Sequence, residues 1–219
     1  SLIPRTAGTS LAGQVVGNGV VVDVSRHMTR ILEINELERW VRVEPGVVLD
    51  ELNLALKSTG LFFSPETSTS NRSMIGGMIG NNSCGLRSLV HGATRDHVRS
   101  IRAVLRDASV CEFGSLDSEG FSDKLQNEGL EGDIYREINR MLGDPKNQAE
   151  IIREFPDPDV VRRNTGYALD ELVNSPKFLG RDGKHGDFNL NRLLSGSEGT
   201  LLFMTEANLN LVPLPTPHK

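Results

Sequence analysis

Cysteine is scarce in this chain of 219 residues, with Cys84 and Cys111 the only two. No CxxC pair or Cys/His cluster is present, so the sequence offers no zinc or iron–sulfur site of its own. Two isolated thiols suit a reducing, cytoplasmic setting. The five histidines, His27, His91, His97, His185 and His218, stand at no metal-ligand spacing, and no metal is expected. There is no basic excess: 24 Lys and Arg stand against 29 Asp and Glu, giving a net charge of −5. That balance argues against nucleic acid as a partner, because such binding needs a basic face. No stretch approaches the ~18 consecutive apolar residues of a transmembrane helix, and no signal peptide is visible. The chain opens Ser1-Leu2-Ile3-Pro4 without an initiator Met, which reads as a piece excised from a longer protein.

Three familiar motifs are missing as well. Gly17-Asn18-Gly19 runs into Val20-Val21-Val22 and lacks the third glycine of a Rossmann fingerprint. No P-loop occurs, and Gly196-Ser197-Glu198-Gly199 has the wrong spacing for a G-x-S-x-G nucleophile elbow. Asp96-His97 read as neighbours on a strand would point to opposite faces, which excludes an acid–base dyad there.

Glycine is well supplied, and its placement is more telling than its number. The run Met74-Ile75-Gly76-Gly77-Met78-Ile79-Gly80-Asn81-Asn82-Ser83-Cys84-Gly85, preceded by Pro65-Glu66-Thr67-Ser68, reads as neither an ordinary helix nor an ordinary strand. A second segment, Pro4-Arg5-Thr6-Ala7-Gly8-Thr9-Ser10-Leu11-Ala12-Gly13-Gln14, and a third, Ser195-Gly196-Ser197-Glu198-Gly199-Thr200-Leu201, are of the same kind. Successive backbone N–H groups in such turns form anion-binding concavities. Glycine alone serves plain turns equally well. The added donors Arg5, Thr9, Ser10, Asn81, Asn82, Ser197 and Thr200 point to one extended, phosphate-bearing ligand held at several places. Arg5, Arg72 and Arg87 lie close enough to neutralise its charge, although each also reads as an ordinary surface arginine.

Around these loops the pattern suggests an α+β fold. Val15-Val16 and Val20-Val22 flank Asn18-Gly19, a hairpin signal. Ile31–Ile34 with Trp40–Val43, and Ser100–Val104 with Ser109–Phe113, read as strand pairs, the second turning at Arg106-Asp107. Val47–Ser58 reads as an amphipathic helix closed by Gly60. Helical spacing returns at Ile134–Leu142 and Ala149–Phe155 and is broken by Pro156-Asp157-Pro158. Leu179–Asn189 reads as a mobile loop. Leu201–Met204 and Ala207–Val212 read as one last long strand, ended by Pro213, Pro215 and Pro217.

In this order the three loops resemble the FAD-binding PCMH-type domain of the vanillyl-alcohol oxidase and p-cresol methylhydroxylase family. The strings Arg163-Asn164-Thr165-Gly166-Tyr167-Ala168-Leu169 and Gly196–Leu201 are closest to the branch of the glycolate oxidase flavin subunit and the D-lactate and D-2-hydroxyglutarate dehydrogenases. Gly80–Gly85 looks like long proteins that fuse such a domain to an iron–sulfur module. The resemblance implies roles for individual residues. Pro4, Arg5, Thr6, Ala7, Gly8, Thr9 and Ser10, continued by Gly13 and Gln14, match the pyrophosphate loop. Thr6 and Ala7 replace two of its glycines. Pro65, Glu66, Thr67, Ser68, Gly76 and Gly77 match the segment beside the ribityl chain and flavin ring, continued by Asn81, Asn82, Ser83 and Gly85. Glu198, Gly199, Thr200 and Leu202 match the late segment near the adenine end. Threonine at position 9, where covalent members carry histidine, implies noncovalent FAD, and Cys84 is no flavin linker.

The implied architecture is the second FAD subdomain, a mainly antiparallel sheet flanked by helices. Residues 1–114 would carry the FAD loops and strands, 115–167 a mostly helical insertion, and 168–219 the return strands. The preceding parallel subdomain and the substrate cap are expected to be absent, and with them any catalytic residue. The implied parent enzyme oxidises a D-2-hydroxy acid to the 2-oxo acid by hydride transfer to flavin N5. It would pass electrons to an iron–sulfur module or quinone, with membrane association of the parent complex left open. The fragment alone is expected to be inactive, and it need not retain FAD without the preceding subdomain. The alternatives are a UDP-sugar enolpyruvyl reductase-like flavoenzyme, a non-catalytic nucleotide-binding or interaction module on the same fold, and a plain β-rich scaffold.

Overall fold

The computed structural model describes residues 1–157, 160, 163–164, 166–180 and 187–215. Pro158, Thr165, His185, Pro217, His218 and the centre of the expected Leu179–Asn189 loop lie outside the described residues. In chain order the elements begin β1 (Leu2–Arg5), β2 (Val20–Asp23), β3 (Ile31–Asn35), β4 (Trp40–Val43), α1 (Leu49–Leu56), β5 (Leu61–Phe62) and α2 (Ile75–Asn81). Next come α3 (Ser88–His91), α4 (Thr94–His97), β6 (Val98–Val104), β7 (Val110–Phe113), β8 (Ser115–Leu116), α5 (Ser118–Gln126), α6 (Gly129–Gly143) and α7 (Pro145–Glu154). The chain finishes with α8 (Leu169–Val173), β9 (Phe188–Asn189), α9 (Asn191–Leu194), β10 (Phe203–Asn210) and β11 (Val212–Pro213).

The frame is an antiparallel sheet of order β3-β4-β10-β6-β7. Its strands alternate: Val41, Val43, Ile101, Ala103, Phe113, Ala207 and Leu209 face a single core, where they meet Leu49, Leu52 and Leu56 of α1. The opposite face carries a charge ladder that crosses the sheet. Glu33 pairs with Arg42 at 3.1 Å, and Glu206 meets Arg42 at 3.6 Å and Arg102 at 3.0 Å. One apolar and one charged face is what an antiparallel sheet can sustain. The helices α5 and α6 close the far side of the core. Phe121 lies 4.8 Å from Phe188 and 5.9 Å from Tyr135, ring centre to ring centre, in edge-on packing. Asp117 caps α5 by accepting from the Gly120 N–H at 2.8 Å, and Asp144 caps α7 ahead of Pro145.

The expected strand pairs Ile31–Ile34 with Trp40–Val43 and Ser100–Val104 with Ser109–Phe113 are β3–β4 and β6–β7. The expected helix over Val47–Ser58 is α1 and a short 3₁₀ turn, closed by Gly60 at φ +71°. Five expectations need correction. The Asn18-Gly19 hairpin does not form. Val16 N–H turns back to the Gly13 carbonyl at 3.0 Å, and β2 pairs in parallel with β1, from Leu2–Val20 to Arg5–Asp23. A partner distant in sequence thus captures the edge that a local turn would have used. Asp96-His97 belongs to the helical turn α4, not a strand, and Asp96 binds Arg192 at 2.7 Å. Phe188–Asn189, placed in the mobile loop, is a strand paired with β8. The last strand begins at Phe203, and Pro213 lies within β11, on an isolated two-stranded edge where its missing N–H costs least. The largest correction concerns residues 75–81, which form the helix α2.

Candidate cofactor-binding site

Four glycines and asparagine-rich flanks make residues 74–85 a poor helix by propensity. Tertiary contact decides otherwise. Ile75 N–H donates to the Val47 carbonyl at 2.9 Å, and Gly76 N–H donates to the Pro45 carbonyl at 2.8 Å. These bonds satisfy amides that a helix start leaves free. Three core residues, Ile75, Met78 and Ile79, anchor one side. The other side must approach backbone. A Cβ on Gly76 would lie 2.6 Å from Pro45 Cβ, and one on Gly77 would lie 2.5 Å from Thr6 Oγ1. The glycines are therefore the condition for packing, and their helix penalty of about 1 kcal/mol each is offset by the contacts they admit. Asn82 ends the helix in the left-handed region at φ +49°.

The third loop locks onto the same helix. Gly196 N–H donates to the Ile79 carbonyl at 3.0 Å, and Glu198 N–H donates to the Gly80 carbonyl at 2.9 Å. Asn81 Nδ2 donates to Glu198 Oε1 at 2.9 Å. A Cβ on Gly199 would stand 2.6 Å from Pro4 Cγ, so this loop also touches the first. Behind the junction lies Arg95, only 4% exposed. Its Nη2 donates to the Ser195 carbonyl at 2.7 Å, and its backbone N–H donates to Asn82 Oδ1 at 2.9 Å. Burial pulls the Arg95 guanidinium below its ordinary pKa, opposed by Glu171, Asp96 and Asp170. Arg163 bridges Asp170 and Glu171 nearby.

The three loops enclose a cleft of about 440 Å³, within the usual size range of small-molecule sites. Pro4, Arg5, Thr6, Gly8, Thr9, Ser10 and Gln14 line it from the first loop. Thr67, Ser68, Gly76, Gly77, Asn81 and Ser83 line it from the second, and Glu198, Gly199 and Leu202 from the third. Seven of the expected residues stand outside the lining. Asn82 and Pro65 are buried, and Asn82 caps α2. Glu66 pairs with Arg87 at 3.3 Å, outside the cleft, and Gly85 packs on Glu66. Thr200 accepts from the Tyr167 hydroxyl and donates to the Ser197 carbonyl at 2.6 Å. Ala7 and Gly13 complete the first loop's turns. Lining residues that sequence reasoning passed over include Val24, Pro45, Ser73 and Leu194. None belongs to a glycine-rich run, and only the fold brings them in. Arg5 and Arg72 are the cations of the lining and Glu198 its acid.

The lining suits a long ligand with phosphate, hydroxyl and apolar parts. Hydroxyl and amide donors and two guanidinium groups face Met74, Met78, Leu194 and Phe203. Gln14 Oε1 is buried in the cleft wall without a protein partner, an acceptor awaiting a donor. The close approaches at Gly77 and Gly199 leave no room for side chains at the junction. Among the described residues no three His, Cys, Asp or Glu cluster as a metal site, and no helix is long and apolar enough to cross a membrane.

Comparison with known proteins agrees with this geometry. Residues 1–114 match the family described as FAD binding domain. A D-2-hydroxyglutarate dehydrogenase of Pseudomonas putida is 44% identical over 98% of the chain. One of Escherichia coli is 42% identical over 97%, and the glycolate oxidase subunit GlcD of Bacillus subtilis is 32% identical over 72% of the chain and 35% of its own length. An alkyldihydroxyacetonephosphate synthase structure shares the fold at TM-score 0.60 and 18% identity, covering 99% of this chain and 28% of that one. The chain belongs to the FAD binding domain family. It spans one fifth, 20%, of the length of the D-2-hydroxyglutarate dehydrogenases it matches.

Proposed function

We propose that this chain forms one wall of the FAD site in a larger flavoenzyme that oxidises a D-2-hydroxy acid, of the D-lactate, glycolate or 2-hydroxyglutarate type, to the 2-oxo acid. The observation that carries the reading is the junction of three loops on α2, where Gly77 meets Thr6 and Gly199 meets Pro4 around one donor-rich cleft. The similarity to D-2-hydroxyglutarate dehydrogenases over nearly the whole chain supports the substrate class. Bound noncovalently, FAD supplies the hydride acceptor, N5 of its ring. The chain's own part is to hold and orient that group. Backbone N–H groups of residues 6–10, helped by Arg5 and Arg72, suit the diphosphate. Thr67, Ser68 and Asn81 suit the ribityl and ring edges, and the Met74–Met78 side excludes water.

The same reading assigns β1–β2 to the edge of a parallel sheet that other segments complete. Leu2, Val20 and Val21 are exposed in a parallel pair, whereas parallel sheets are normally covered on both faces. The cap, the catalytic base and the electron acceptor, an iron–sulfur module or quinone, belong to the rest of the cytoplasmic parent.

Titration of the chain with FAD, followed by quenching of flavin fluorescence, tests the proposal. Saturable binding that is lost in Gly8→Trp is expected, because a side chain at Gly8 meets Arg5 Nε at 3.3 Å and fills the cleft. Absence of binding, with the upstream segment restored as well, overturns it.

A further inference from the structure

Asn164, Gly166 and Tyr167 belong to the string that marks this branch in sequence, yet none of them lines the cleft. They touch two of its walls from outside. Asn164 Nδ2 donates to the Asn81 carbonyl at 2.6 Å, at the last residue of α2, where a helix leaves its carbonyls unpaired. The Tyr167 hydroxyl meets Thr200 Oγ1 at 2.5 Å. The Thr200 hydroxyl already donates to the Ser197 carbonyl at 2.6 Å, so the tyrosine is the donor of this pair. Between the two, the Gly166 carbonyl accepts from Arg95 Nη2 at 3.4 Å and stands 2.9 Å from where a Cβ on Gly196 would lie. Arg163 roots the string on α8 through Asp170 and Glu171. Asn81 and Ser197, the residues reached at either end, both line the cleft.

Exposure separates these contacts from ordinary packing. Asn164 is exposed, and Tyr167 is 46% exposed. Hydrogen bonds open to water replace bonds to water at little net gain, so the pair adds little to folding. What it does is geometric. One bond spans 83 positions of sequence and the other 33, and they end on different walls of one cleft.

Resting on the FAD reading above, we infer that Asn164 and Tyr167 are positioning residues that clasp α2 to the third loop from outside and hold the cleft at the width that retains the cofactor. Asn164 acts through Asn81, and Tyr167 acts through Thr200 and Ser197.

Amide exchange and flavin titration of the wild type, Asn164→Ala, Asn164→Asp and Tyr167→Phe test this. Asn164→Asp keeps the shape but sets an acceptor against the Asn81 carbonyl, and Tyr167→Phe removes the hydroxyl alone. In the cofactor-free chain, exchange at Gly196 and Glu198, whose N–H groups donate to the Ile79 and Gly80 carbonyls, is expected to quicken in all three variants. FAD affinity is expected to fall about 2- to 10-fold in Asn164→Ala and Tyr167→Phe, the worth of one ordinary hydrogen bond, and at least as far in Asn164→Asp. The loss should lie chiefly in faster release. The melting temperature of the cofactor-free chain is expected to stay within about 2 °C of wild type, as for other surface changes. Wild-type affinity in Tyr167→Phe or in Asn164→Asp overturns the clasp, which needs both ends, and leaves the FAD reading in place. So does a melting temperature lower by more than about 4 °C alongside the loss of affinity, which reduces the string to a structural role. A wild-type chain that binds no flavin, even with its upstream segment, removes the FAD reading and this inference together.

Discussion

Gly77 and Thr6 meet at a distance no side chain would allow: a Cβ on Gly77 would lie 2.5 Å from Thr6 Oγ1. This contact joins the first loop to α2, and through α2 to the third loop. The cleft depends on it.

Gly77→Ala is therefore expected to push the first loop from the helix. Overpacking of this kind costs about 1–3 kcal/mol, and FAD affinity should drop with it. Thr6→Gly removes the obstructing hydroxyl, so the double variant should recover much of the loss. Denaturant melts and flavin titrations of the four chains give the coupling. Additive effects would show that the two residues do not bear on each other.

Arg95→Met tests the support of the third loop. It leaves the Ser195 carbonyl without its buried donor and removes the charge facing Asp96, Asp170 and Glu171. A loss of about 3 kcal/mol is expected, or a melting point lower by about 6–12 °C for a chain of this size. Amide exchange at Gly196 and Glu198 should quicken first. Unchanged protection at those two amides would mean that the loop holds without Arg95.

Glu44 gives the pH dependence a sign. The carboxylate is 6% exposed and receives two guanidinium bonds and the backbone N–H of Arg30, next to Pro45 in the cleft wall. The Arg30 side-chain bonds, strengthened by its backbone N–H and charge and opposed by burial, hold its pKa below the ordinary 4.5. A depressed carboxylate adds stability that is complete above its unfolded pKa and is lost as pH falls through its folded one. The stability gap between the wild type and Glu44→Gln should be full at neutral pH and close in acid below 4.5. Urea melts across pH 7 to 3 measure it, and a gap that widens in acid contradicts the assignment.

Leu2 and Val20 are register partners on β1 and β2, 65% and 64% exposed. Apolar faces of this kind drive association. Leu2→Lys with Val20→Lys should lower the apparent mass of the concentrated chain in light scattering and leave its melting temperature within about 1–2 °C, as surface changes do. Persistent association would place the sticky surface elsewhere, for example at Leu86, Leu89 and Val90.

Local chemistry fixed much of this molecule. Alternation in Trp40–Val43 and Ser100–Val104 set which faces turn inward, Gly60 stopped α1, and the donor-rich glycine loops marked the cleft before any contact was known. These features need only neighbours in sequence, or a core of any kind to pack on. The tertiary structure decided what depends on distant partners. Residues 75–81 are helical because Val47 and Glu198 bond the two ends of the segment, and Pro45 and Thr6 approach Gly76 and Gly77 at distances that glycine alone permits. β2 pairs with β1 because Ser1–Arg5 offers an edge that the Asn18-Gly19 turn cannot match. Arg95 took its place behind the loop junction, and Pro45 and Leu194 theirs at the cleft, from segments with no signature of a site. Propensity and pattern act over a few residues, whereas close approach and buried charge are satisfied only once the whole chain has folded.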